Sequence, residues 1–142
     1  MKVFLDTNVL ASAVATRGLC ADVLREVFAA HELVISEYLI TELKRALAEK
    51  FILPRDIRDD YIWLLHQDTI VAGEADPPPV QLKDKSDIPI LGAALQANAD
   101  VLVAGDLELQ NLKKIGNLLI LSPRGFWEKL RAENEASGDK SS

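Results

Sequence analysis

Val3-Phe4-Leu5-Asp6-Thr7-Asn8-Val9-Leu10 is the stretch that decides the fold. Its first three residues form a short apolar run of the kind that makes a buried strand, and Asp6 follows at once. Open parallel sheets bind their ligands in the crevice beyond the carboxyl ends of their strands. An acid at such an end therefore stands where a ligand would sit, provided the rest of the chain builds a parallel sheet.

The runs that follow support one. They are short and alternate with helical patterns, the mark of βαβ units. Val23, Val27 and Ala30 recur at helical spacing in a helix over Ala21–Ala30. Leu33-Val34-Ile35 reads as a second strand, and Ser36 then caps a helix reaching about Lys50. Pro54 opens another helix, with Ile57, Tyr61, Leu64 and Leu65 on one face. Thr69-Ile70-Val71-Ala72 is a third strand. Gly73 to Lys85 contains Pro77-Pro78-Pro79, which supply no backbone donors, and reads as a loop. An apolar helix runs from Asp87 to about Asn98 with Ile88, Leu91, Ala94 and Leu95 as its buried stripe. Val101-Leu102-Val103 is a fourth strand ending at Gly105-Asp106, and Leu118-Leu119-Ile120-Leu121 a fifth, before Ser122-Pro123 starts the last helix. Five strands and about five helices predict an open α/β sandwich.

The 142 residues, 49% of them hydrophobic, fit one domain with a full core. We place it over residues 1–131 and leave the small, polar tail 132–142 unstructured. The single cysteine, Cys20, excludes an intramolecular disulfide and a thiolate metal site. No apolar run approaches the ~20 residues of a membrane span, and the start lacks a signal-peptide core, so no membrane contact and a cytoplasmic setting are expected. A net charge of −6 argues against a protein that merely coats nucleic acid. It does not argue against a carboxylate site whose bound cations reverse the local sign.

Asp6 and Asp106 each follow a strand end. Glu42 lies two turns into the helix that leaves the second strand, on the flank of the Leu39, Leu43 and Ala46 stripe. Asp87 begins the helix that feeds the fourth strand, and antiparallel packing of that helix on the sheet returns Asp87 to the same edge. Taken singly, each acid has an ordinary structural explanation. Asp6 and Asp106 suit turns, Asp87 suits a helix N-terminus, and Glu42 can pair with Arg45. Independent explanations do not place all four on one edge. Clustered carboxylates repel and persist only with protons or cations between them. Oxygen donors suit Mg²⁺ or Mn²⁺, and two such ions can activate water and stabilise a leaving oxygen in phosphodiester cleavage.

With these residues in view, the chain resembles the PIN-domain nucleases, especially VapC-type toxins of bacterial toxin–antitoxin pairs. Val3 to Leu10 looks like the family's first motif, a strand followed by Asp-Thr-Asn. Ser36-Glu37-Tyr38-Leu39-Ile40-Thr41-Glu42-Leu43 is similar to the second, Asp84 to Ala94 to the third, and Ala99 to Leu107 to the fourth. The resemblance implies a three-layer α/β/α sandwich and metal-dependent RNA cleavage by Asp6, Glu42, Asp87 and Asp106, which hold Mg²⁺ or Mn²⁺. It implies supporting roles for Thr7, Asn8, Asp84 and Glu108, a homodimer, and silencing by an antitoxin laid across the active-site groove. Ala104 stands where the family often has Thr or Ser, and Glu108 where it often has Asp; a glutamate there can still ligate, on a longer arm. Asp84 and Asp87 compete for the third position; Asp87 is preferred because it directly precedes the Ile88-to-Ala94 segment.

Two other readings are weighed. A PIN-like module that binds RNA or protein without cleaving would fail to bind Mn²⁺. A phosphotransferase using Asp6 as nucleophile would form a trapped aspartyl-phosphate, but the second Asp such enzymes carry two residues on is Asn8 here. Lys83, Lys85, Lys113 and Lys114 flank the expected groove and suit either phosphate contact or plain solvation.

Overall fold

A computed structural model describes the backbone of residues 1–141 and the side-chain surroundings of residues 1–136. The chain runs β1 (Lys2–Leu5), α1 (Thr7–Ala15), α2 (Leu19–Ala30), β2 (Glu32–Ile35) and α3 (Glu37–Arg45), which continues into a π-helical turn (Ala46–Lys50). Then come α4 (Arg55–Leu65), β3 (Ile70–Val71), α5 (Asp87–Gln96), β4 (Val101–Val103), α6 (Leu107–Leu112), β5 (Lys114–Ile115), β6 (Leu118–Leu121) and α7 (Pro123–Ser141).

The strands form one sheet in the order β3-β2-β1-β4-β6-β5. Every neighbouring pair is parallel except β5 with β6. From β1 the chain moves outward through β2 and β3 on one side, then returns to lay β4 on the other. The winding direction therefore reverses between β1 and β4. That switch point is where an open α/β sheet leaves a crevice. Both strands are buried on both faces: Val3, Phe4, Leu5, Leu102 and Val103 are fully inaccessible. Helices flank a mainly parallel sheet, as the sequence leads one to expect.

The sheet has six strands where the sequence predicts five. The addition is β5, two residues long, joined to β6 by Gly116-Asn117 with Gly116 at φ +57°. A glycine at positive φ between paired strands is a tight-hairpin device, but two residues are too few to show a strand period. Two helices are also additions. In α1, Val9, Leu10 and Ala11 are buried although Thr7, Asn8 and Val9 are weak helix formers; packing overrides propensity there. In both additions the strand-end acid supplies the cap. Asp6 accepts from Val9 N–H at 2.9 Å for α1, and Asp106 from Glu108 N–H at 3.0 Å for α6. The caps expected of Ser36 and Ser122 are present, to Leu39 N–H and Gly125 N–H.

Helix α4 buries a narrower stripe than its pattern predicts. Tyr61 and Leu65 are buried, with the Tyr61 hydroxyl donating to Leu10 carbonyl at 2.6 Å, but Ile57 and Leu64 are each 44% exposed. Helix α7 runs past Arg131 into residues whose small, polar composition predicts no structure; Ser142 lies outside the described residues. Lys129 and Glu133 pair at 2.9 Å one helical turn apart, which supports that extension. Leu130 is the last buried side chain among the described residues, so the extension adds nothing to the core.

Candidate active site

The crevice between β1 and β4 opens into a cleft of about 1120 Å³ lined by Asp6, Thr7, Asn8, Glu42, Asp84, Asp87, Asp106 and Glu108. All eight residues singled out from the sequence, four as acids of the site and four as its supports, thus face one space. Local chemistry explains each placement. Asp6 N–H bonds Val103 carbonyl at 3.0 Å, extending the β1–β4 ladder by one rung. Its carboxylate then turns back, with Oδ1 on Val9 N–H and Oδ2 accepting from Gly105 N–H at 3.1 Å. Asp6 is 6% exposed, and these two bonds occupy one lone pair on each oxygen.

Glu42 projects from α3, and Arg45, Ala46, Glu49 and Lys50 follow it along the same wall through the π-helical turn. Glu42 and Arg45 lie 3.7 Å apart, the pairing foreseen from their spacing. Lys50 Nζ donates to Asn8 Oδ1 at 3.3 Å, joining that wall to the start of α1. Asp87 opens α5. Asp84 stands three residues before it, its Oδ1 accepting from Ser86 N–H at 3.0 Å and from Ser86 hydroxyl at 2.6 Å.

Asp84, Asp87 and Asp106 offer carboxylate oxygens that all lie within 4.8 Å of one another. The sequence set Asp84 against Asp87 for a single position; the structure brings both into one group with Asp106. Asp6 and Glu42 line the same cleft but are not members of that tight group. Asp87 Oδ2 is buried and meets no N–H or O–H donor. Burial is the main reason its carboxyl is pushed up to about 8, helped by the Asp106 carboxylate within hydrogen-bonding reach and by the charges of Asp84, Asp106 and Asp6. Asp106 moves below the usual carboxylate range, its anion steadied by that same contact and by Glu108 N–H. Burial raises Asp6, against the lowering by its Val9 and Gly105 donors. Two carboxylates in such contact require a proton or a cation between them. An oxygen-only donor set with one orphaned buried oxygen fits a hard divalent cation.

Glu108 behaves differently. Lys83 N–H donates to both of its oxygens, at 3.0 and 2.9 Å, and Asp84 N–H leans toward one at 3.4 Å. Arg45, Lys50 and Lys83 are the cations that line the cleft, whereas Lys85, Lys113 and Lys114 do not. Lys50 was not singled out from the sequence, although at eight residues past Glu42 it shares that helix face. Ala104 is fully buried, its N–H bonded to Leu121 carbonyl, and it gives the site no hydroxyl.

A doubly covered, mostly parallel sheet with acids gathered at its switch point defines an α/β protein with an acidic, cation-suited cleft. More specifically, residues 2–108 match the family model described as PIN domain, and the chain belongs to that family. Among solved structures it is similar to a chain of VapBC2 from Rickettsia felis bound to a DNA fragment from their promoter. That likeness has a TM-score of 0.60 at 15% identity and covers 86% of this chain and 98% of the other. It is also similar to the T. brucei RRP44 PIN domain, with a TM-score of 0.54 at 14% identity, covering 99% of this chain and 86% of the other. At these identities the likeness is one of fold. No curated protein matches the sequence.

Proposed function

We propose that this chain is a metal-dependent endoribonuclease and the toxin of a toxin–antitoxin module. One observation carries the reading: the grouped oxygens of Asp84, Asp87 and Asp106, with Asp87 Oδ2 left without a donor, at the switch point of a PIN fold. Asp84, Asp87 and Asp106 would hold Mg²⁺ or Mn²⁺, with Asp6 and Glu42 completing the ring of negative charge. Bound there, the cation would supply the charge that activates water and stabilises the leaving oxygen of a phosphodiester. Glu42, which lines the same cleft, would bind the cation or orient that water, and Thr7 and Asn8 would support the site. Arg45, Lys50 and Lys83 would hold the phosphates of a single strand. The toxin role rests on the motif resemblance to VapC-type toxins and is supported by the shared fold with a VapBC2 chain. An antitoxin across the groove, a homodimer and a cytoplasmic site of action belong to the same proposal. Ile57, Trp63 and Leu64, exposed on α4, favour association with a second protein surface.

The test is cleavage of single-stranded RNA by the purified chain with Mn²⁺ or Mg²⁺. Cleavage should stop on chelation and fall at least about 100-fold in Asp106→Asn, which removes charge from the grouped oxygens. Cleavage that survives both would sink the proposal. Ala104 favours a second reading, a PIN-like module that binds without cutting; absence of Mn²⁺ binding together with no cleavage of any RNA tried would support it.

A further inference from the structure

We propose that Glu108 is a positioning residue that latches the loop ahead of α5 so that Asp84 joins Asp87 and Asp106, and that it does this in place of binding the cation itself. The inference rests on the reading of those three acids as a metal site. Residues 73–86 contain no helix or strand, so something else must fix Asp84. At its start the loop is tied by Gly73 N–H to Gln96 Oε1 at 2.8 Å. Its middle lies so close over α5 that a Cβ on Gly92 would meet Asp76 carbonyl at 3.3 Å. Buried Leu82 anchors it next.

The last tie, immediately before Asp84, is the Glu108 carboxylate from the first turn of α6. It is bracketed by Lys83 N–H on both oxygens, with Asp84 N–H beside it. Charge-assisted bonds of this kind are among the stronger ones a loop can make. Spending its carboxylate there also explains why Glu108 is absent from the group of oxygens within 4.8 Å. An Asp at this position would be shorter by one C–C bond, about 1.5 Å, and would not reach Lys83. The glutamate is thus required for its length, not as a tolerated stand-in.

Two measurements on the full chain test this: hydrogen exchange of the Lys83 and Asp84 amides without metal, and Mn²⁺ affinity by calorimetry. Glu108→Ala and Glu108→Asp should each speed exchange at those amides about tenfold or more and weaken Mn²⁺ binding about tenfold. Glu108→Gln, which keeps the length and one acceptor, should retain more of both. In an Asp84→Asn background, Glu108→Ala should cause no further loss of affinity. Unchanged exchange rates would overturn the latch. Affinity that survives in Glu108→Asp better than in Glu108→Gln, or losses that add in full to Asp84→Asn, would show a direct ligand instead. If the wild-type chain binds no Mn²⁺, the metal half of the proposal and the site reading fall together, while the exchange rates still decide the latch.

Discussion

Gly105 N–H donates to Asp6 Oδ2 at 3.1 Å, so the acid that ends β1 also holds the turn that ends β4. The site's deepest carboxylate is a structural brace as well as a candidate ligand. Asp6→Asn keeps one acceptor oxygen and turns an amide NH₂ toward the other donor, Val9 or Gly105. Losing one buried bond costs about 1 kcal/mol, partly offset because the burial that raises Asp6 no longer acts on a charge. The melting temperature should move by less than about 4 °C while RNA cleavage falls at least about 100-fold. Cleavage near the wild-type rate would remove Asp6 from the mechanism.

Asp87 gives the metal-free protein a pH signature. Its folded carboxyl titrates at about 8, against about 4 in the unfolded chain. A raised carboxyl means the folded state holds its proton more tightly. The stability this contributes is complete below about pH 4 and is lost as pH rises through about 8. The chelated wild type should therefore lose melting temperature between pH 5 and 8.5 more steeply than Asp87→Asn, which has nothing to titrate there. Adding Mn²⁺ at pH 8.5 should restore the wild type and leave the variant unmoved. Parallel slopes for the two proteins would contradict the assignment.

Gly92 sits under the proline-bearing loop. Alanine there would bring a methyl to 3.3 Å from Asp76 carbonyl and 3.5 Å from Ala75 Cβ, a contact the loop can accommodate by a small shift. The gain in helix propensity, up to about 1 kcal/mol, offsets that strain, so Gly92→Ala should melt within a few degrees of wild type. Gly92→Val adds bulk with no room to enter, and should cost about 1–3 kcal/mol. Thermal unfolding of the pair decides; a valine variant as stable as the alanine one would mean the loop is not held down.

Lys50, from the π-helical turn, and Lys83, from the loop, both line the cleft. Should both meet phosphates, removing either reduces the slope of log affinity against log salt by about 0.7 for a single strand. Lys114→Ala, away from the cleft, should leave that slope alone. Binding of a non-cleavable RNA by the metal-free chain over a salt series supplies the comparison.

The sequence shows the parallel sheet because its central strands are continuous apolar runs, Val3-Phe4-Leu5 and Val101-Leu102-Val103, closed by acids. Asp6, Glu42, Asp87 and Asp106 do line one cleft, which follows from strand ends and helix starts sharing an edge. What it hides depends on distance rather than pattern. Helix α1 is held by a cap and burial against its own weak propensities, and β5 is too short for any period. Asp84 sits in a loop, and nothing in a run of residues tells how a loop folds back. The grip of Glu108 on Lys83 N–H joins positions 25 apart and involves a backbone donor that no residue type advertises.

Both rims of the sheet end in strands of two residues, β3 and β5. A free strand rim is a template on which a foreign chain can grow another strand, and two rungs offer almost no such template. Beyond β3 the chain soon enters three consecutive prolines, which deny further rungs, and β5 carries the exposed Lys114. The rims thus disfavour strand addition and leave the helices and the acidic mouth as the larger surfaces for a companion to meet.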